Sequence, residues 1–487
     1  MSCKEREAIR RESRNIHNRL RSIGKDSEFV TKVADHFRTL PLIANERCGS
    51  WYVDPKKAYP HSVYFKSTDG HFGNWDFNLR RLNYHIIKTI AQRGGCIIVD
   101  STRNGKRIPD SLAKTVPIWC AVINGAVARH RQKAAPHDAI ANGTDDEKEN
   151  LAGDQSGLLW DTAFHSIPSI VSRSESQQIS QKLPPFVDKL LASSVNVPEL
   201  SLHLHKPLRP LWITPTTNLA LGFDWAGSPD ALHDLPFYPV ILLSASQAVP
   251  DGMDRRVGYT YVQGSADDHE LWGRGLEPEM FWAHREELLD ATDDATCEQL
   301  VQRIVRDSHL LSTPLSTGKA PPSNLLGDTN ISIGNHASGR PPDCFRFFDV
   351  VINCGSPEHP PELLDKAAEE GKYLFLPIPE GKKGQHALFS CLPMVLAFVK
   401  GPLRERKRVL VHCMQGKDRS VGIALAMLVR YMDDEGHINV DADETSEVTK
   451  DLIQNRLLFI QSHRIVASPT RATLQKVKTY FMSAEYK

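Results

Sequence analysis

His412-Cys413-Met414-Gln415-Gly416-Lys417-Asp418-Arg419-Ser420 sets a thiol five residues ahead of a guanidinium, with a glycine, a lysine and an aspartate between them. The apolar run Val409-Leu410-Val411 precedes it and the apolar run from Val421 to Tyr431 follows, which reads as strand, tight loop, helix. A loop entering a helix N-terminus aims unpaired backbone N–H groups at one point, and an anion belongs there. Arg419 has the planar fork to hold two phosphate oxygens, and Lys417 adds a second positive charge. A helix terminus and nearby cations also favour the thiolate form of a cysteine such as Cys413.

The arrangement His-Cys-x-x-Gly-x-x-Arg-Ser resembles the signature of cysteine-dependent phosphatases of the dual-specificity type. That resemblance implies a phosphate-binding loop formed by residues 412–420 and a phosphatase-like fold around it. A phosphatase of this kind needs a general acid, an Asp about thirty residues before the Cys. Here no Asp lies between Asp365 and Asp418, and Glu380, after the apolar run Tyr373 to Ile378, is the nearest carboxylate. Glu380 opens Gly381-Lys382-Lys383-Gly384, a basic loop whose lysines are candidate phosphate or RNA contacts. The Gly-Lys-Asp-Arg form of the loop is similar to that of phosphatases acting on highly charged substrates.

A second concentration of polar groups follows the apolar run Cys96-Ile97-Ile98-Val99. There, Asp100, Ser101, Thr102, Arg103, Gly105 and Lys106 sit where a buried strand ends. The carboxyl ends of strands are where α/β proteins bind ligands. Asp100 is a candidate for catalysis, Mg²⁺ or a ribose hydroxyl, and Ser101, Thr102, Arg103 and Lys106 are candidates for phosphate. A general base would come from Asp69, His71, Asp100, Asp110, Asp267, Asp268 or His269 by residue type. Six arginines between Arg6 and Arg21, with Ile9, Ile16, Leu20 and Ile23, predict a basic, weakly amphipathic helix over 5–24. Arg10, Arg11, Arg14, Arg19 and Arg21 are its candidate RNA-backbone contacts, joined by Lys382 and Lys383.

These groups must be positioned by a chain of 487 residues with zero formal net charge and nine cysteines in no Cys-x-x-Cys pair. The length predicts two or three domains. Zero net charge announces no global nucleic-acid field. The scattered cysteines argue for a reducing compartment, and no signal-peptide core or long apolar run is evident; a cytoplasmic location without membrane attachment is expected. Polar stretches at 134–157 and 313–342 predict a mobile insertion and a linker. The expected fold is α/β: an N-terminal α/β or α+β domain over 1–312, and a C-terminal cysteine-phosphatase-like domain over 343–487 with helices on both faces of a central sheet.

Several further stretches carry a second resemblance. They include Cys48-Gly49-Ser50-Trp51-Tyr52, Gly94-Gly95-Cys96 through Arg107, Lys114-Thr115-Val116-Pro117-Ile118-Trp119-Cys120, Lys206 through Trp212, and Tyr261-Val262-Gln263-Gly264-Ser265-Ala266-Asp267-Asp268-His269. In this order, followed by the phosphatase-like loop, they resemble the initiator-tRNA phosphoribosyltransferases, the tRNA adenosine-64 2′-O-ribosylphosphate transferases. The resemblance implies transfer of a 5-phosphoribosyl group from phosphoribosyl pyrophosphate to a ribose 2′-hydroxyl of initiator tRNA, which keeps the initiator out of elongation. It implies tRNA and phosphoribosyl pyrophosphate as partners, not DNA or a membrane, and Mg²⁺ as the cofactor. Loop 413–419 is then expected to hold a donor phosphate. The alternative is a cysteine-dependent phosphatase working through a phosphocysteine at Cys413.

Overall fold

The computed structural model describes residues 12–483, apart from 47, 67–72, 104, 135–159, 194, 224, 227, 311–322, 356–357, 359, 361, 363, 380–383 and 442–447. Nearly all of the expected 134–157 insertion lies outside the described residues. The chain divides into two units, one formed by residues 1–78 and 83–314 and the other by Leu79–Leu82 with Leu315–Lys487.

The first unit begins with one long helix, α1 (Ile16–His36), capped by the Asn15 side chain on the amide of Asn18. A helix over 5–24 was expected there; Asn15 interrupts it, and α1 starts only at Ile16 and runs on to His36. Its apolar positions Ile16, Leu20, Ile23, Val30 and Val33 all bury on one core. The elements that follow are β1 (Leu42–Ala44), α2 (His85–Arg93), β2 (Cys96–Asp100), α3 (Val116–Ala134), α4 (Arg173–Leu191), α5 (Val197–His203), β3 (Leu208–Ile213), α6 (Pro229–Asp234) and β4 (Tyr238–Ser244). A hairpin, β5 (Met253–Arg256) and β6 (Tyr259–Val262), then leads to α7 (Pro278–Ala283), α8 (Arg285–Leu289) and α9 (Asp294–Leu310).

Strands β1, β2, β4 and β3 lie in that order, all parallel. β2 and β4 are buried at every position, which is why they read as continuous apolar runs without alternation. One face, with Ile97, Val99, Ile213, Ile241 and Leu243, packs on α1, on Leu232 of α6 and on α7–α9. The other face is marked by Trp212, whose Nε1 donates to the carbonyl of Leu112 at 2.9 Å, just ahead of α3.

In the second unit the strands are β7 (Ser323–Leu325), β8 (Ile331–Gly334), β9 (Val350–Asn353), β10 (Tyr373–Phe375) and β11 (Val409–His412). Their order is β10-β9-β11-β8-β7, parallel except for the edge strand β7. The expected linker over 313–342 is therefore corrected. Residues 323–334 are two strands of the sheet, and β8 pairs directly with β11, which carries the phosphate loop. Side chains alternate across the sheet. Val350, Ile352, Val409 and Val411 face the core shared by α12 (Gly384–Arg404), α13 (Arg419–Tyr431), α14 (Lys450–His463) and α15 (Arg471–Met482). Val351 and Leu410 face a smaller core with Phe348, with Cys344 of the short helix α10 (Cys344–Phe347) and with Leu364 just ahead of α11 (Asp365–Glu369). Helices thus cover both faces, as expected.

Two helical stretches, Ser111–Lys133 and Gly384–Arg404, are long and apolar enough to cross a membrane by length and composition, so the reading that no such run exists was too narrow. The first is mostly buried in its own unit. The second turns Leu388, Leu392, Val395, Val399 and Leu403 into the core at helical spacing.

All eight tryptophans lie between Trp51 and Trp282, so tryptophan fluorescence follows the first unit alone. That unit buries the carboxyl of Asp26, which accepts from Tyr261 Oη at 2.8 Å; burial pushes it up to about 7. Between pH 4 and 7 the unfolded chain releases this proton and the folded chain keeps it, so the contribution to stability falls as pH rises through that window. Asp26→Asn should remove that slope. The difference in fluorescence-detected urea midpoint, variant minus wild type, should grow from pH 4 to pH 7 and then level off.

Candidate functional site: the phosphate loop and the first sheet's carboxyl edge

β11 is the central strand of its sheet, and the chain leaves its carboxyl end as a loop that enters α13 at Arg419. Cys413 is buried. Its Sγ accepts the amide of Gly416 at 3.2 Å and is hydrogen-bonded to Ser420 Oγ at 3.2 Å. The loop has curled round the sulfur, with Cys413, Gly416 and Ser420 at its centre. Gly416 adopts φ +68°, and a Cβ there would fall 2.3 Å from Arg464 Nη2 and 2.5 Å from Gly334 O. No other residue fits that point of the loop.

Arg419 is buried, and its Nη1 donates to Ile378 O at 2.9 Å. Asp418 caps α13 by position, yet its carboxylate accepts the amide of Thr470 at 2.8 Å, tying the loop to the start of α15. His412 ends β11 fully buried; a Cβ at Gly339 would lie 2.0 Å from its Nε2, so that glycine makes room for the imidazole. Met414 and Gln415 are exposed at the rim, and Met414 O accepts the amide of His336 at 3.1 Å. Lys417 is half-buried, with its carbonyl taken by Ser468 N. Glu380, Lys382 and Lys383 lie outside the described residues.

A residue that sequence reasoning missed holds this loop in place. Arg464, buried at the end of α14, donates from Nε to Gly416 O at 2.8 Å and from Nη1 to Ile333 O at 2.9 Å and Asn324 Oδ1 at 2.7 Å. Burial lowers its pKa from the usual arginine value, and the neighbouring Cys413 opposes that shift. Its partners are mainly carbonyls, which leave no mark in a sequence.

In the first unit the expected cluster separates. Asp100 is fully buried: Oδ2 accepts from Asn45 Nδ2 at 2.8 Å and Ser111 Oγ at 2.5 Å, and Oδ1 accepts Ser101 N at 2.9 Å. It fastens the loop after β2 to β1, so a catalytic or Mg²⁺-binding Asp100 does not fit this placement. Ser101 and Thr102 are buried as well, while Lys106 is exposed. Arg103 pairs with Asp268 at 2.7 Å and Asp267 at 3.6 Å, so its charge is already matched.

Of the expected RNA contacts, Arg14 is exposed, and Arg10 and Arg11 lie outside the described residues. Arg19 and Arg21 are corrections. Arg19 Nη1 donates to Ser265 O at 2.6 Å and Asp267 O at 3.1 Å, over the Trp272 ring, and burial pushes its pKa down to about 10. Arg21 donates to Leu289 O at 2.7 Å. Both point into their own unit because α1 buries most of its length.

Among the described residues, Asp433, Glu435 and His437 bring possible metal ligands within 4.8 Å of one another. They form an exposed turn in which Asp433 Oδ1 accepts the amides of Glu435 and His437. A histidine in the set does not suit Mg²⁺, which prefers an octahedron of oxygens.

Two family models match the chain: the Rit1 N-terminal domain over residues 9–306 and the Rit1 DUSP-like domain over 372–481. A Saccharomyces cerevisiae protein named tRNA A64-2′-O-ribosylphosphate transferase is 34% identical, over 97% of this chain and 93% of its own. The chain belongs to the Rit1 family. An uncharacterized Schizosaccharomyces pombe relative, C3F10.06c, is also 34% identical, over 97% of this chain and 95% of its own. Among solved structures, human DUSP28 is similar at 15% identity, covering 35% of this chain and 99% of that one, with a TM-score of 0.25. The fold of this Rit1 family member's second unit rests on its own sheet order and on the matched DUSP-like domain.

Replacing Arg464 by methionine keeps bulk but abandons two buried carbonyls. We expect a loss of about 2–4 kcal/mol in the second unit, seen in calorimetry as a lowered transition. The tryptophan fluorescence of the first unit provides the internal control.

Proposed function

We propose that this chain transfers a ribosyl phosphate group to the 2′-hydroxyl of adenosine 64 in tRNA. The observation that carries the proposal is coverage: the relative bearing that activity in its name aligns with both units, not with the phosphatase-like part alone. The tRNA is the initiator, and the donor is phosphoribosyl pyrophosphate. In the reaction the bond between the anomeric carbon and the pyrophosphate oxygen breaks, and a bond to the 2′-oxygen forms. The hydroxyl proton passes to a base or to water, and pyrophosphate leaves with the bonding electrons. Mg²⁺ arrives as the counter-ion of the donor's pyrophosphate. The enzyme works in the cytoplasm, without DNA or a membrane as partner.

The phosphate loop supports this reading. Arg419 and Lys417 offer cations, and the loop's amides and helix terminus favour an anion at its centre. The loop grips a substrate phosphate in this reading, and Cys413 serves as a positioned contact without a phosphocysteine. Gly416 N and Ser420 Oγ around Sγ also suit a nucleophilic thiol, so the phosphatase reading keeps one specific observation in its favour. It leaves the unit built from residues 1–78 and 83–314 without a role.

A transfer assay separates the two. With donor labelled in its 5-phosphate, wild type should label initiator tRNA, and Arg419→Ala should reduce the rate at least about tenfold through loss of a charge-assisted contact. Cys413→Ser should retain most of the transfer. Loss of transfer with tRNA and donor binding intact would give the thiol a chemical role. Phosphate release from an aryl phosphate, without tRNA labelling, would favour the phosphatase.

The tRNA is met along its phosphates and shallow minor groove, with Arg10, Arg11, Arg14, Lys382 and Lys383 as the contacts. Affinity for initiator tRNA should therefore drop steeply, by roughly tenfold or more between 50 and 200 mM salt. A flat salt response in a filter-binding titration would rule this mode out.

A further inference from the structure

Three loops leave the carboxyl edge of the first sheet and enclose a cavity of about 300 Å³. Gly105 and Arg107 come from the loop after β2, Thr214 and Thr216 from the loop after β3, and Ser246 and Val249 from the loop after β4. Strand order explains why a cavity forms there. β4 lies between β2 and β3. From β2 the chain goes on to α3, on the face where Trp212 meets Leu112. From β3 it goes on to α6, whose Leu232 packs with Ile213 on the opposite face. Connections that diverge in this way open a crevice outside the strand ends, and open parallel sheets take ligands in such crevices.

The crevice has a built frame. The buried Gln263 side chain accepts the amides of Gly105 at 3.0 Å and Val249 at 3.3 Å, and donates to Lys106 O at 2.6 Å. It thereby locks the β2 loop to the β4 loop. Gly105 sits at φ +70°, which lets its amide turn towards Gln263. On the facing wall, Thr217 Oγ1 accepts Thr214 N at 2.9 Å, and the hydroxyls of Thr214 and Thr216 lie 3.0 Å apart. Among the described residues lining the cavity, Arg107 is the one charged group, and no carboxylate faces it. One guanidinium, paired hydroxyls and no acid select an anion. A volume at the lower end of the roughly 300–1,000 Å³ usual for small-molecule sites suits a sugar phosphate or a diphosphate better than a nucleotide.

We propose that this crevice seats a phosphoryl group of a small phosphorylated sugar, held by Arg107 and the hydroxyls of Thr214 and Thr216. The identity of that sugar as the phosphoribosyl donor rests on the transferase reading. Gln263 is a positioning residue, and Arg107 is the specificity-determining cation.

The test is equilibrium binding to the full chain by calorimetry, with inorganic pyrophosphate and ribose 5-phosphate as separate probes for the two ends of the donor. At least one probe should bind wild type. Arg107→Ala should weaken that probe tenfold or more, and Thr216→Val should weaken it severalfold with an unchanged melting temperature. In an Arg419→Ala background, which removes the phosphate loop's own hold on an anion, Arg107→Ala and Thr216→Val should weaken it by the same factors. The probe affected tells which phosphate of the donor lies against Arg107. Binding of neither probe, binding indifferent to both Arg107 and Thr216, or binding that depends on Arg419 instead would overturn the proposal. So would an Arg107→Ala variant that loses only tRNA affinity. If Arg107→Ala does not fold, Thr216→Val decides alone. Arg107-dependent binding by a wild type that labels no tRNA would leave the crevice standing and remove the transferase reading.

Discussion

Two arginines, the buried Arg464 and the half-buried Arg19, hold loops of this protein by their carbonyls. A loop that turns its N–H groups towards a ligand must send its C=O groups somewhere, and a buried carbonyl without a partner costs about as much as a lost hydrogen bond. Arg464 meets that demand under the phosphate loop by taking Gly416 O and Ile333 O. Arg19 meets it in the first unit by taking Ser265 O and Asp267 O. The guanidinium suits this task because it stays charged when buried and carries five donors in a rigid fork.

The Tyr261–Asp268 segment links several of the parts that matter in the first unit. α1 holds it from one side: Asn18 Oδ1 accepts Thr260 N, Ser22 Oγ accepts Val262 N, and Arg19 takes the carbonyls. From the other side Gln263 grips the loop after β2, and Asp267 and Asp268 neutralise Arg103. A helix whose composition suggests an RNA-binding surface thus also serves as the clamp that shapes the sheet's carboxyl edge.

The sequence made some of this plain and hid the rest for physical reasons. β11, the loop and α13 were legible because an apolar strand, a glycine with charged residues and an apolar helix follow one another without interruption. β2 was legible as a continuous apolar run. β7 and β8 were hidden because Ser323-Asn324-Leu325 and Ile331-Ser332-Ile333-Gly334 are short and rich in small polar residues, and they sit beside a polar stretch that reads as linker. Asp100 was found but misassigned: type and position at a strand end matched a ligand-binding carboxylate, whereas its partners Asn45 and Ser111 lie far off in sequence. Thr214, Thr216 and Gln263 carry no motif at all. Only the fold, by crossing β4 between β2 and β3, brings them to one crevice.

The antiparallel edge strand has a consequence for how this chain is dissected. β7 and β8 account for two of the five strands in the second unit's sheet, and β8 flanks β11 along its full length. Leu79–Leu82 belongs to the same unit, and Gln461 Nε2 donates to Arg80 O. A fragment beginning at the apparent phosphatase homology near residue 343 would expose the bare flank of β11, the strand that carries Cys413. Inactivity in such a fragment would report a missing wall of the sheet, not the chemical competence of the loop.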